Sequence, residues 1–81
     1  MKPEVLLKLK EQFKAETMAY SGYEAIIEMI DDEYLEEALE EIMYDEYLHA
    51  KFLRSYMIEK GLYDLSQHID CEKAYRKMVE Q

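Results

Sequence analysis

The chain has 81 residues, with nineteen Asp and Glu against ten Lys and Arg, for a formal net charge of −9. That balance repels phosphate backbones and argues against nucleic acid as the main partner, while cations become the more natural ligands. Hydrophobic residues at 49% are too many for a disordered acidic tail, and no apolar run nears the roughly 20 residues of a membrane span. Two glycines and one proline leave little of the punctuation that strands and tight turns need, so the expected fold is all-α. A single domain over residues 1–81 buries only a modest core, which makes a metal or a second subunit an expected source of stability.

Met1-Lys2-Pro3-Glu4 begins no apolar leader, and the lone Cys71 has no intramolecular partner, so a cytoplasmic protein with an inert helical thiol is expected. Pro3 suits a first helical turn. From there Leu6, Leu9, Phe13, Glu16, Tyr20, Tyr23, Ile27 and Ile30 recur every three or four residues, the period of one helical face. This predicts helix 1 over about 3–30. Asp31-Asp32-Glu33 then supplies a turn and an N-cap. Leu35, Leu39, Ile42, Glu46, His49, Leu53 and Tyr56 continue the alternation and predict helix 2 over about 33–60, stopped by Gly61. So short a connection makes the two helices antiparallel neighbours. Leu65, Ile69, Tyr75, Met78 and Val79 carry a weaker pattern that predicts helix 3 over about 64–80, with Asp64 or Ser66 as its cap.

Three polar residues interrupt the apolar seams: Glu16 on helix 1, and Glu46 and His49 on helix 2. All three are expected to point inward, where carboxylates cost several kcal/mol unless paired or bound to metal. Glu16 and Glu46 are equidistant from Asp31, so a symmetric hairpin puts both roughly 20 Å from the bend, facing each other. Glu46 and His49, three apart, form the Glu-x-x-His pair of bundle-embedded di-iron sites. Such a site takes four carboxylates and two histidines from four helices. One chain supplies half of each, so two copies about a two-fold axis would complete a four-helix bundle with the metal at their interface.

Glu16-Thr17-Met18-Ala19 followed by Tyr23, then Glu46-Tyr47-Leu48-His49-Ala50, resembles the ferritin-like superfamily over roughly residues 13–53. The spacings of seven from Glu16 to Tyr23 and thirty from Glu16 to Glu46 are most similar to the half-length encapsulated ferritins, and more distantly to rubrerythrins. The resemblance implies a ferroxidase, a homodimer or an assembly of dimers, that oxidises Fe(II) with dioxygen or peroxide for iron storage or detoxification. Glu16, Glu46 and His49 would bind the iron and Glu46 would bridge it, with manganese or zinc as other metals the donors accept. It gives Tyr23 a role orienting a ligand or donating an electron, against plain core packing. It also implies an encapsulin-type shell as a partner and a place inside a protein nanocompartment. Lys77-Met78-Val79-Glu80-Gln81 offers no targeting peptide for such a shell.

The remaining polar residues read more plainly. Tyr20 is expected to fill core. Asp45, Glu24 and the cluster Glu36, Glu37, Glu40 and Glu41 are expected as solvated acidic surface, with a lesser role in drawing in iron. His68 lacks a second ligand at metal spacing and is expected to be structural or exposed. Two rival functions remain: a rubrerythrin-like peroxidase, which here lacks rubredoxin-type cysteine pairs, and a non-catalytic helical interaction module whose inward Glu and His form a buried polar network.

Overall fold

A computed structural model describes residues 2–80; Met1 and Gln81, the chain ends considered above for a leader and a targeting peptide, lie outside the described residues. Three helices follow in order, α1 (Pro3–Met29), α2 (Glu33–Glu59) and α3 (Leu65–Glu80). No helix among the described residues is long and apolar enough to cross a membrane.

Each boundary has a local cause. Pro3 opens α1, where its missing N–H is no loss. Asp32 caps α2, its Oδ1 accepting from the Leu35 amide at 3.1 Å. At the far end Gly61 adopts φ 69°, and the Leu62 amide reaches back to the Met57 carbonyl at 2.7 Å, closing α2 with a Schellman turn that favours glycine. Asp64 Oδ1 accepts from both the Ser66 amide and the Ser66 hydroxyl ahead of α3. The first turn of α3 is irregular at His68 (φ −122°, ψ 17°).

α1 and α2 lie antiparallel in a rod 45 Å long, and α3 packs along one face of it. The core is Phe13, Tyr20, Met43, Ala50, Met57, Tyr75 and Met78. On α1 every seam residue from Leu6 to Ile30 is buried or half-buried, as expected. On α2 the seam is displaced. Leu39, Met43, Ala50 and Met57 are the buried positions, while Leu35 (40%), Ile42 (38%) and His49 remain exposed. The cause is α3, which draws the Tyr47 and Arg54 side of α2 inward through Tyr75 and Glu72. On α3 Tyr75 and Met78 face the core as expected, whereas Leu65, Ile69 and Val79 are exposed and His68 and Glu72 are buried in their stead.

The burial of Glu72 rests on one ion pair. Arg54 Nε and Nη2 each donate to Glu72 at 2.8 Å, a bidentate pair, and the Tyr63 hydroxyl donates to the same carboxylate. Arg76 Nε adds a longer bond of 3.3 Å. The Arg54 guanidinium also sits 4.8 Å from the Tyr75 ring centroid. Hydrogen bonding to Arg54 is the largest influence on Glu72 and, against the effect of burial, holds its pKa down at about 2 instead of 4.5. Because the folded pKa is depressed, this stabilisation is complete above pH 4.5 and is lost as pH falls through 2. With allowance for screening at the partly open Arg54, the pair should contribute on the order of 2 kcal/mol at neutral pH. Glu72→Gln is expected to lower urea-unfolding stability by about that amount at pH 7 and by progressively less toward pH 2; an equal loss across the whole pH range would show that the charge is irrelevant.

Candidate metal centre

Helical periodicity and the hairpin turn together decide what meets halfway along the rod. Glu16 projects from α1, and Glu46 and His49 from α2, and one donor atom from each lies within 4.8 Å of the others. The three differ in exposure. Glu16 is 8% exposed and Glu46 is half-buried, whereas the His49 side chain is 59% exposed. The expectation that all three point inward therefore fails for His49, which opens the cluster to the outer face of the hairpin. α3 makes its contacts on the opposite side, through Phe13, Tyr47 and Arg54, and leaves the His49 face uncovered.

The Glu16 carboxylate is held asymmetrically. Gln12, one turn earlier on α1, donates its Nε2 to Oε1 at 2.8 Å. Oε2 is buried, makes no hydrogen bond of good geometry, and lies 3.4 Å from His49 Nδ1. Gln12 was not legible as a site residue; its only signal is its position four residues before Glu16.

Glu16 and Glu46 divide one proton unequally. Burial would raise the Glu16 pKa, but hydrogen bonds from Glu46 and Gln12 and the neighbouring imidazole outweigh it, and the net shift is downward. The same contact with Glu16, then burial, then the Glu16 charge push Glu46 up to about 7. Two carboxylates this close keep a proton between them when nothing else supplies positive charge.

The other expected site residues lie apart from this contact. Tyr23 is half-buried against the core, and the groups acting on Glu16 are Glu46, Gln12 and His49. Tyr20 is buried core, as expected. Asp45 lines an acidic surface with Glu37, Glu40 and Glu41, and adds to the negative charge felt by Glu46. His68 is buried at 2% exposure, stacked on Tyr63 at 4.7 Å between ring centroids, with Nδ1 2.7 Å from the Asp64 carbonyl. It has a structural place and no metal-ligating neighbour among the described residues.

A pair of hard oxygen donors with one imidazole suits a divalent transition metal, and the orphaned Glu16 Oε2 fits such an ion. Comparison with protein-family models, curated proteins and solved structures returned no match.

The raised pKa of Glu46 gives the metal-free protein a testable weakness. A folded pKa above the unfolded value means stability is complete below pH 4.5 and declines as pH rises through about 7. Glu46→Gln resembles the protonated side chain in shape and charge, so at pH 8 in chelator it is expected to be more stable than the parent by about 1–2 kcal/mol. Equal stabilities at pH 8 by urea unfolding would show that the two carboxylates do not interact.

Proposed function

We propose that the chain is an iron-binding ferroxidase whose di-iron carboxylate centre is shared by two copies, each contributing Glu16, Glu46 and His49. The observation that carries this reading is the convergence of Glu16, Glu46 and His49, one donor atom of each within 4.8 Å of the others, with the buried Glu16 Oε2 3.4 Å from His49 Nδ1. Without metal the two carboxylates stay together by keeping a proton between them, and a cation among the three donors would take that proton's place. Three ligands are half of what a di-iron site uses, so the count calls for a second copy.

The surface around the cluster supports the pairing. Leu35, Ile42 and His49 follow one another at intervals of seven on α2, and the first two are exposed apolar side chains. Pairing across this face would cover them and bring two half-sites together. The motif resemblance to encapsulated ferritins, from Glu16 through Tyr23 to Glu46-x-x-His49, points to the same arrangement and to Fe(II) as substrate.

Each residue has a distinct task in this proposal. Gln12 fixes Glu16 Oε1 and leaves Oε2 for the ion, so ligand orientation rests on Gln12 more directly than on Tyr23. Glu46 gives up its proton as a cation arrives, replacing one positive charge with another. His49 offers a ring nitrogen on the open side, where a second subunit would exclude water. Iron in the site supplies the redox chemistry, each Fe(II) giving one electron to dioxygen or peroxide. A hairpin has no storage cavity, so storage of the product would require a larger assembly or an encapsulin-type shell.

Anaerobic Fe(II) titration of metal-free protein, followed by air and read in the near ultraviolet, is expected to saturate at about one iron per chain. Glu46→Ala with His49→Ala should lose both saturable binding and oxidation. Unchanged oxidation in that variant, or no saturable binding in the parent, would sink the proposal. The Glu16–Glu46–His49 group would then be a polar network that fixes pairing without catalysis.

A further inference from the structure

Charge is divided into two blocks along the rod. Residues 15–50 contain twelve Asp and Glu and no Lys or Arg, whereas the rest of the chain contains ten Lys and Arg against seven Asp and Glu. Because the hairpin bends between α1 and α2, the first block forms the turn half of the rod and the second the open half, with α3 starting beside the open end and its last turn reaching into the turn half. A rod 45 Å long far exceeds the screening length of about 8 Å at physiological salt, so its ends present separate fields of opposite sign.

The turn half also carries an unfilled apolar groove. α1 and α2 each have 27 residues and α3 has 16, so α3 falls about 16 Å short of covering the hairpin. Where its last turn stops, a cleft of about 580 Å³ opens over Tyr20, Ile27, Met43 and Tyr47, with Glu28 and Glu40 beside them. The outward face of α3 has the complementary character. Leu65, Ile69, Lys73 and Lys77 recur at intervals of four and form one exposed stripe, apolar at its start and basic at its end. Leu65 and Ile69 are 56% and 50% exposed despite their size.

We infer that the outer stripe of α3 in one copy docks on the turn-end groove of another copy. The charge distribution selects this occupant. A net charge of −9 opposes any self-association that brings like ends together, and setting the basic stripe against the acidic groove turns charge into attraction. Every copy carries both halves of the contact, so the association runs head to tail and either closes on itself or continues. The groove is formed with α3, on the side away from His49, and the contact needs no metal. It therefore stands independently of the ferroxidase reading.

The test is sedimentation velocity on the full chain in chelator, with Glu28→Lys/Glu40→Lys as the groove variant and Lys73→Glu/Lys77→Glu as the stripe variant. All four positions line the surface, so circular dichroism should report unchanged helix content. The parent is expected to self-associate at low salt and to dissociate near 0.5 M salt, where the screening length is about 4 Å. Each variant alone should associate at least about tenfold more weakly, the effect of losing two exposed ion pairs. An equimolar mixture should regain association, because the reversed groove meets the reversed stripe and the native halves meet each other. A parent that stays monomeric at low salt, or variants that associate as the parent does, or a mixture no stronger than its components, would overturn the inference.

Discussion

The Glu16 carboxylate, buried at the interface of two antiparallel helices, is the constraint around which this small protein is arranged. An ionised group there needs partners from both helices, and the hairpin provides them because its turn is equidistant from Glu16 and Glu46. Gln12 donates to one oxygen from the same helix, His49 Nδ1 lies 3.4 Å from the other, the buried Oε2, and Glu46 joins the cluster from across the interface. An apolar residue at position 16 would make a quieter core and leave Glu46 and His49 as ordinary surface residues.

The opposite face of the hairpin handles its buried charge in the contrary way. Glu72 is as buried as Glu16, yet every part of its carboxylate is engaged by Arg54, Tyr63 and Arg76. One carboxylate is saturated by permanent cations and its pKa is driven far down; the other is under-supplied, and its partner Glu46 is driven up. The contrast separates a structural ion pair, which fastens α3, from a site that still lacks positive charge. It also explains why α3 is fixed to one face only and why the His49 face stays open.

Much of this was legible from residue order. The α1 seam, the turn at Asp31 and Asp32, the stop at Gly61 and the meeting of Glu16 with Glu46 and His49 all follow from periodicity, capping chemistry and equal arm lengths. α2 was harder, because it is apolar on two sides. Ile42 and Met43, or His49 and Ala50, fit the same three-and-four alternation, and only contact with α3 selects which of each pair is buried. In α3 the pattern was right for Tyr75 and Met78 and wrong for Leu65, Ile69 and Val79. Leu65 and Ile69 look like core, but Glu72 is drawn inside by Arg54, and a helix can bury only one face.

The sequence by itself determined the helical class, the hairpin and which two carboxylates and imidazole cluster, since these depend on local propensity and on spacing along a regular helix. Tertiary structure decided the rest. It set which side of α2 faces inward, left His49 on the open side, recruited Gln12 to one oxygen of Glu16 and placed the other 3.4 Å from His49 Nδ1. Those outcomes depend on how three helices share a single core, and residues distant in sequence compete for the same contacts in a way that no local pattern encodes.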